Sequence, residues 1–405
     1  MFPRIDNGHV LGVAAFSVPV IGVYAPLGLA PLIILAAMVA VANRRFRDRV
    51  WPNFSGFAAV ICALAMIWSA VSVFWSIDPP AAHVLKLVRL AILLFAGFAL
   101  LDCARALRPE ERDRFQKLML AGFALAATML LVDRAFEGPI LRALPDINGN
   151  WTGVITQFNR GVTVLALMIW PVTLALWRRS PAQAIIGCLV ALVLVSGFAS
   201  VAAILAVAAG ILCCALTFYL PRFLPYFVAF GFLAAVFAGP FVLQHIAPPD
   251  DVALGELPIP NSAHHRLLIW QFTADKIGER PLLGWGFNSS KTIPGNTHSL
   301  GIGAAALPLH PHNVWLQWWL ELGVVGAILG AVLIGGTAWR LREPNMARAE
   351  RAISLALLVA VFLIGGVAYG AWQSWWIAAI LFAVVFMAGS LNPPNQRHAE
   401  LPPSQ

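Results

Sequence analysis

The chain has 405 residues, of which 60% are hydrophobic and only 11% are charged, and its mean hydropathy is +0.79. A composition this apolar excludes a soluble globular protein of the same length. The formal net charge of +8 does not indicate a nucleic-acid-binding surface, because most Lys and Arg residues fall in short segments between apolar runs.

Apolar runs close to the ~20 residues that a helix needs to cross a bilayer recur along the whole chain. Each must be helical, because an open strand leaves its backbone groups unsatisfied in lipid. The sequence therefore predicts an all-α polytopic membrane protein, a single integral membrane domain over residues 1–405 with about twelve transmembrane helices. The predicted spans are 10–25, 27–42, 54–74, 84–101, 118–135, 161–177, 184–198, 201–219, 223–243, 314–339, 352–370 and 376–390.

The distribution of basic residues predicts the orientation. With the N-terminus in the cytoplasm, 18 of the 27 Lys and Arg residues lie on the cytoplasmic side and nine lie on the outer side. Short cytoplasmic segments carry such an excess in membrane proteins. Both termini are therefore predicted to be cytoplasmic, and the long polar stretch 244–311 before span ten is predicted to be an outer loop.

The basic residues on the outer side go against this bias and are candidates for anion binding. Lys86 and Arg89 share a face of span four near its outer end. There they either face a wet cavity or a partner, or snorkel to the interface. Arg142 lies between spans five and six, and Arg160 lies at the outer end of span six. Converging guanidinium groups suit a polyanion, and their forked donors match phosphate oxygens.

The stretch 244–311 contains a predicted amphipathic helix at about 262–280, with Arg266 near its beginning. Its apolar face is expected to lie either flat on the membrane or on the ends of the spans. Ten tryptophans also fall on the outer side. Most of them are predicted to form an interfacial belt, with stacking on sugar faces as the alternative for some. They are Trp75, Trp151, Trp270, Trp285, Trp315, Trp318, Trp319, Trp372, Trp375 and Trp376.

The start of span ten carries the sequence His310-Pro311-His312-Asn313. Pro311 is favoured at the first helical position and pushes His310 into extended geometry, so His312 is predicted to lie in the first helical turn. The positive end of the helix dipole favours the neutral imidazole that a general base requires. The ordinary alternative is a surface histidine.

Polar residues and glycines continue along the same span. Asn313, Gln317 and Glu321 follow one another at intervals of four and predict a polar stripe that faces protein rather than lipid. Three small residues farther along are predicted to let another helix approach closely. They are Gly323, Gly326 and Gly330.

Two motifs in this region carry a resemblance to a known family. His312-Asn313, nine residues, Gly323, two residues and Gly326 resemble the signature of the O-antigen ligase and O-antigen polymerase superfamily. The upstream run 280–286, Arg-Pro-Leu-Leu-Gly-Trp-Gly, resembles the Pro-Leu-x-Gly-x-Gly segment that precedes the His-Asn helix in that superfamily. The similarity is clearest from about 155 to 335.

The resemblance implies a glycosyltransferase of the C-type membrane architecture. Members take glycan from undecaprenyl pyrophosphate at the periplasmic face of a bacterial inner membrane, and the ligases transfer it to a sugar hydroxyl of lipid A-core. They invert the anomeric centre and need no metal or other cofactor. The stretch 244–311 is then a periplasmic loop. The family's catalytic histidine falls on His312, and its pyrophosphate-binding arginines fall on Arg142, Arg160 and Arg266.

Other functions remain open at this stage. An O-antigen polymerase, which joins lipid-linked repeat units, uses similar chemistry, and a membrane transporter also has many helices with few charges. The short chain after span twelve disfavours protein O-oligosaccharyltransferases with extra C-terminal domains. The histidines of 244–311 lack carboxylate or thiol partners at metal-ligand spacing, so no metal site is predicted. The ligase is the favoured function, with membrane lipids, the lipid-linked donor and lipid A-core as partners and no nucleic acid.

Overall fold

The computed structural model describes residues 6–42, 56–144, 158–245, 261–297, 306–307 and 309–392. Trp151, several of the basic residues predicted to be cytoplasmic and parts of the 244–311 stretch lie outside these ranges. The described part of the chain forms helices and connecting turns, without strands. The helices are α1 Asn7–Tyr24, α2 Leu29–Ala42, α3 Phe57–Ser72, α4 Pro80–Arg105, α5 Pro109–Ala135, α6 Pro139–Ala143, α7 Asn159–Trp177, α8 Pro181–Ser196, α9 Val201–Tyr219, α10 Leu224–His245, α11 Asn261–Glu279, α12 Val314–Arg340, α13 Arg348–Val367 and α14 Ser374–Ser390.

Nine helical stretches among the described residues are long and apolar enough to cross a membrane. Three further apolar helices, which coincide with predicted spans two, seven and twelve, are shorter: Pro26–Ala42, Pro181–Ser196 and Ser374–Ser390. The prediction of an all-α, multi-pass membrane protein is confirmed. Among the described residues, length and composition identify nine candidate crossings, and the predicted count of twelve is not confirmed.

Helix α7 lies at the centre of the bundle. Every residue from Gly161 to Ala175 is buried, and the helix contacts α1, α5, α8, α9, α13 and α14. A helix that is apolar on all sides is stable only when protein surrounds it. α7 therefore forms the core, and its first turn brings Arg160 to one end of the bundle.

The two ends of the bundle carry different side chains. At one end, Arg178 at the end of α7 pairs with Glu350 at the start of α13 at 2.9 Å, and Arg114 of α5 pairs with Asp6 before α1 at 3.2 Å. We call this the basic end. At the opposite end, which we call the site end, the hydroxyl of Tyr24 donates to Asp133. The polar residues of 310–321 lie near the site end, beside the connection between the end of α13 and the start of α14.

Helix α11 packs on protein at the site end. Ile269, Thr273 and Ile277 on its inner face are buried. Gln244 at the end of α10 donates its amide to the carbonyl of Ala274 at 2.7 Å. Of the two placements left open for this amphipathic segment, the structure shows the one on the ends of the spans.

The tryptophans predicted as an interfacial belt are mostly engaged inside the protein. Trp375 and Trp376 are only 4% and 2% exposed. Indole N–H groups of several donate to carbonyl or carboxylate oxygens of the protein. The donors are Trp75, Trp270, Trp285, Trp315, Trp319 and Trp372. Burial makes the belt interpretation wrong for Trp285, Trp319, Trp375 and Trp376. For the partly exposed tryptophans the belt stays a prediction.

Candidate active site

Helix α12 begins later than the sequence predicts. Asn313 is its N-cap, and the Asn313 side-chain oxygen accepts hydrogen bonds from the backbone N–H groups of Trp315 and Leu316, both at 3.0 Å. His312 lies before the cap with a left-handed backbone, φ 54°. The prediction that Pro311 starts the helix and that His312 lies in its first turn is therefore wrong. The reason is that the asparagine side chain satisfies the first free N–H groups of the helix.

The imidazole of His312 is held by the backbone of another segment. Its Nδ1 lies 3.0 Å from the carbonyl oxygen of Ala368, just after α13. A carbonyl only accepts, so Nδ1 carries the proton and Nε2 keeps its lone pair. Burial lowers the pKa of His312 below 6.5, the Ala368 hydrogen bond opposes this, and the charges of Arg266 and His265 lower the pKa further. The imidazole is therefore neutral at pH 7, for a reason other than the predicted helix dipole.

His310 lies beside His312 but is enclosed. Its ring centroid is 4.4 Å from that of His312, and its Nδ1 accepts the backbone N–H of His312 at 3.1 Å. Because Nδ1 accepts, the proton of the neutral ring is on Nε2, which lies 2.9 Å from the side-chain amide of Gln373. The amide oxygen of Gln373 has no other partner among the described residues, and it accepts this proton when the amide is turned towards the ring. Burial, His312 and Lys86 lower the pKa of His310 to about 3. Both ring nitrogens are thus occupied, and the ring stays neutral.

One short loop between α13 and α14, residues 368–373, contacts most of the polar residues around the start of α12. Besides the contacts to the two histidines, the N–H of Ala371 donates to Gln317 at 2.7 Å, and the indole of Trp372 donates to Glu321 at 2.6 Å. Sequence reasoning missed this loop. Its only signal is a few polar and small residues between two apolar spans.

Glu321 is fully buried and accepts hydrogen bonds from three segments of the chain. Besides Trp372, the donors are the side chain of Gln317 at 2.9 Å, the N–H of Asn288 at 2.5 Å, and the N–H and hydroxyl of Ser290. All of these groups donate, so the carboxylate acts only as an acceptor. The polar stripe predicted on α12 therefore anchors loops to the helix. Glu321 is the acceptor that these loops share.

Gly323 divides α12 into two helices. Its φ of 64° and ψ of −159° are non-helical and belong to a region that essentially only glycine adopts. The break exposes backbone groups that pair with the 281–286 run: Trp285 and Gly286 donate to the carbonyls of Leu320 and Glu321, and Val324 donates to the carbonyl of Pro281, all at 2.9 Å.

The two sequence motifs therefore bind each other. A Cβ at position 323 would lie 2.2 Å from the carbonyl oxygen of Leu282, and one at Gly330 would lie 2.2 Å from the ring of Trp318 on the same helix. The prediction that these glycines admit a neighbouring helix is wrong. Gly323 instead leaves space for the 281–286 loop, and Gly330 leaves space for Trp318 from the first part of α12.

Three of the five predicted anion-binding residues lie near the histidines. Arg266 is close enough to His312 to affect its titration. Its helix is tied to the same segment, because Trp270 donates its indole N–H to the carbonyl of Pro311 at 2.9 Å. Lys86 donates to the side chain of Asn288 and acts electrostatically on His310.

Arg160 reaches the same region from α7. Its guanidinium lies 5.9 Å from the ring centroid of Trp375, which also packs against Tyr369. The Tyr369 hydroxyl lies 3.0 Å from that of Thr163. Burial raises the pKa of Tyr369, while Thr163, Arg160 and Arg266 oppose the rise. Arg160 and Arg266 therefore act on one phenol, next to the residue that holds His312.

The structure does not bring the other two predicted residues into this cluster. Arg142 is exposed and lies 4.0 Å from the carboxylate of Glu137. Arg89 is exposed, whereas Lys86 three residues earlier is half-buried. In the described ranges, no group of three or more His, Cys, Asp or Glu side chains could hold a metal ion.

Comparison with known proteins agrees with this arrangement. Residues 186–331 match the family model described as O-Antigen ligase, which includes both motifs, His312 and Glu321. A Rickettsia conorii protein named "Putative polysaccharide ligase" is 30% identical over 312 residues, 75% of this chain and 72% of the relative. A Rickettsia felis protein of the same name is 28% identical over 80% of this chain and 79% of its own length. The chain belongs to the O-antigen ligase family.

Proposed function

We propose that this protein is a lipopolysaccharide O-antigen ligase. It transfers glycan from undecaprenyl pyrophosphate to a sugar hydroxyl of lipid A-core at the periplasmic face of a bacterial inner membrane. The observation that carries the proposal is the geometry of His312. Its Nδ1 proton is committed to Ala368, and among the described residues no hydrogen bond occupies Nε2. Nε2 is thus a proton acceptor near Arg266.

The proposed reaction is a single displacement. The acceptor oxygen attacks the anomeric carbon of the donor sugar, its proton passes to Nε2 of His312, and the bond from that carbon to the pyrophosphate oxygen breaks. Attack from the face opposite the leaving group inverts the anomeric centre. A positioned base contributes about 10²–10⁴-fold. Arg266, Arg160 and Lys86 stabilise the negative charge that grows on the departing undecaprenyl pyrophosphate.

Arg266→Lys is expected to weaken donor binding by about ten-fold or more. The lysine keeps the charge but loses the forked pair of donors, and a hydrogen bond to a charged group contributes about 1.5–3 kcal/mol, where 1.4 kcal/mol is ten-fold. Affinity for undecaprenyl pyrophosphate would be measured on purified protein. Arg142→Ala is the matched comparison at the same end. Equal affinity in the wild type and Arg266→Ala would remove Arg266 from the donor site.

The orientation can be tested with one cysteine at each end. Leu309 at the site end is 60% exposed, and Arg179 at the basic end is exposed. In intact cells, an impermeant thiol reagent is expected to label Leu309→Cys but not Arg179→Cys, which becomes reactive only after the inner membrane is permeabilised. The unsubstituted chain controls for its five native cysteines. The reverse labelling pattern would contradict both the predicted orientation and a periplasmic site.

The function itself is tested by reconstitution. Purified protein would be incubated with undecaprenyl-pyrophosphate-linked glycan and lipid A-core, with and without EDTA. Glycosylated lipid A-core is the expected product, formed equally in both samples. Lengthened lipid-linked glycan, formed without use of lipid A-core, would identify a polymerase instead. Passage of the donor across proteoliposomes without any new glycosidic bond would identify a transporter, and a strict need for added Mg²⁺ or Mn²⁺ would refute the metal-free mechanism.

A further inference from the structure

We infer that His310 is a positioning residue for His312. Its unprotonated Nδ1 holds the backbone N–H of His312 and so keeps the base in its left-handed conformation. This inference rests on the proposed function, in which His312 accepts the proton of the acceptor hydroxyl. It assigns to His310 a role in placing the base rather than in proton transfer.

The backbone at His312 needs such support. A left-handed conformation brings Cβ close to the following carbonyl oxygen and costs roughly 1–2 kcal/mol for most residues other than glycine. His312 adopts it with φ 54°. The hydrogen bond from its N–H to Nδ1 of His310, 3.1 Å long, closes a local turn in which His310 holds the backbone of His312. Without it, the imidazole can move away from Ala368 and from the substrates.

His310 is itself held on two sides. Gln373 contacts its Nε2 at 2.9 Å, and the loop packs against its ring through Gly370. A Cβ at Gly370 would lie 2.7 Å from Cγ of His310. The ring therefore fits only because residue 370 has no side chain. His310 is only 9% exposed. A ring enclosed this way, with Nδ1 already accepting, is poorly placed to exchange protons with a substrate.

The neutral state of His310 is what the hydrogen bond requires. A protonated Nδ1 would be a donor facing another donor, the N–H of His312. Burial and the charges of His312 and Lys86 keep the pKa of His310 at about 3. The ring therefore remains an acceptor throughout the pH range in which the enzyme works.

Replacing His310 by Asn or by Gln distinguishes a role for its Nδ1 hydrogen bond from a role in packing alone. The side-chain oxygen of Asn occupies nearly the position of Nδ1, whereas that of Gln extends to the position of Nε2. His310→Asn is therefore expected to keep most of kcat. His310→Gln and His310→Ala are expected to lower kcat by about 10²-fold, the effect of displacing a catalytic group by about 1 Å. The KM for the donor should stay unchanged in all three, because the arginines bind it.

The measurements are kcat and KM for both substrates, on variants matched for folding by size-exclusion profile and thermal midpoint. Gly370→Ala gives a second route to the same effect, because its Cβ displaces the ring of His310. It should lower kcat at constant donor KM even if the His310 variants fail to fold. Normal kcat in His310→Gln or in Gly370→Ala, or equal losses in the Asn and Gln variants, would overturn the inference. His312→Ala in the same assay tests the proposed function separately, since normal transfer there would remove the base itself.

Discussion

His312→Ala is expected to lower the rate of glycan transfer by about 10²-fold or more, because it removes the group that accepts the acceptor's proton. Affinity for undecaprenyl pyrophosphate should be nearly unchanged, since Arg266 and Arg160 remain. Transfer and donor binding would be measured on the same preparation, with His245→Ala as the control. His245 is an exposed histidine at the end of α10. A loss of donor binding equal to the loss of transfer would indicate a binding role for His312 instead.

The pH dependence of the rate follows from the same residue. Burial lowers the pKa of His312 below its ordinary 6.5, and only the neutral imidazole can accept a proton. The rate of the wild type is therefore expected to fall as the pH is lowered, with its midpoint below the ordinary value of 6.5. A rate that is already half-lost at pH 7 would contradict the burial of this imidazole.

Glu321→Ala is expected to destabilise the protein by about 3–5 kcal/mol, the usual cost of removing one partner from a buried charged network. The change leaves donors from Gln317, Trp372 and the 288–290 segment without an acceptor. It also removes the negative charge that attracts Lys86. The free energy of unfolding would be measured by denaturant titration in detergent. Transfer should fall as well, because the loop that holds His312 loses its anchor.

Thr337→Ala is the matched control for this experiment. Thr337 lies on the second part of α12, and among the described residues its hydroxyl bonds only to the carbonyl of Leu333 within the helix. Its removal should cost no more than about 1 kcal/mol. If Glu321→Ala keeps normal stability but abolishes transfer, while His312→Ala keeps near-normal transfer, the assignment of His312 as the base must be reversed in favour of Glu321.

The class of the protein could be predicted from the sequence. Backbone groups cannot remain unpaired in lipid, so apolar runs of sufficient length must be helices. Each of the predicted spans coincides with a helix. These helices are α1 to α5, α7 to α10 and α12 to α14. The rule cannot establish how many of them cross, because packing inside the protein also favours short apolar helices such as α14, most of whose residues are buried. The motifs around His312 likewise indicated the family, which the comparisons confirm.

The detailed geometry of the site could not be predicted in this way. Helix-start rules favoured Pro311 as the first helical residue, but Asn313 competes for the same N–H groups, and its side chain caps the helix. The left-handed backbone at His312 depends on His310 and on Ala368, which is 56 residues away in sequence. No local pattern encodes a contact of that separation.

The same distinction applies to the charged residues and glycines. Composition and spacing identified the arginines as candidates, but contacts separate Arg160 and Arg266 from Arg142, because proximity in space depends on how α7 and α11 pack. Gly323 is recognisable as part of a motif from sequence alone. That it breaks α12 and admits the 281–286 loop follows only from the tertiary structure, where the freed backbone groups of one motif find their partners in the other.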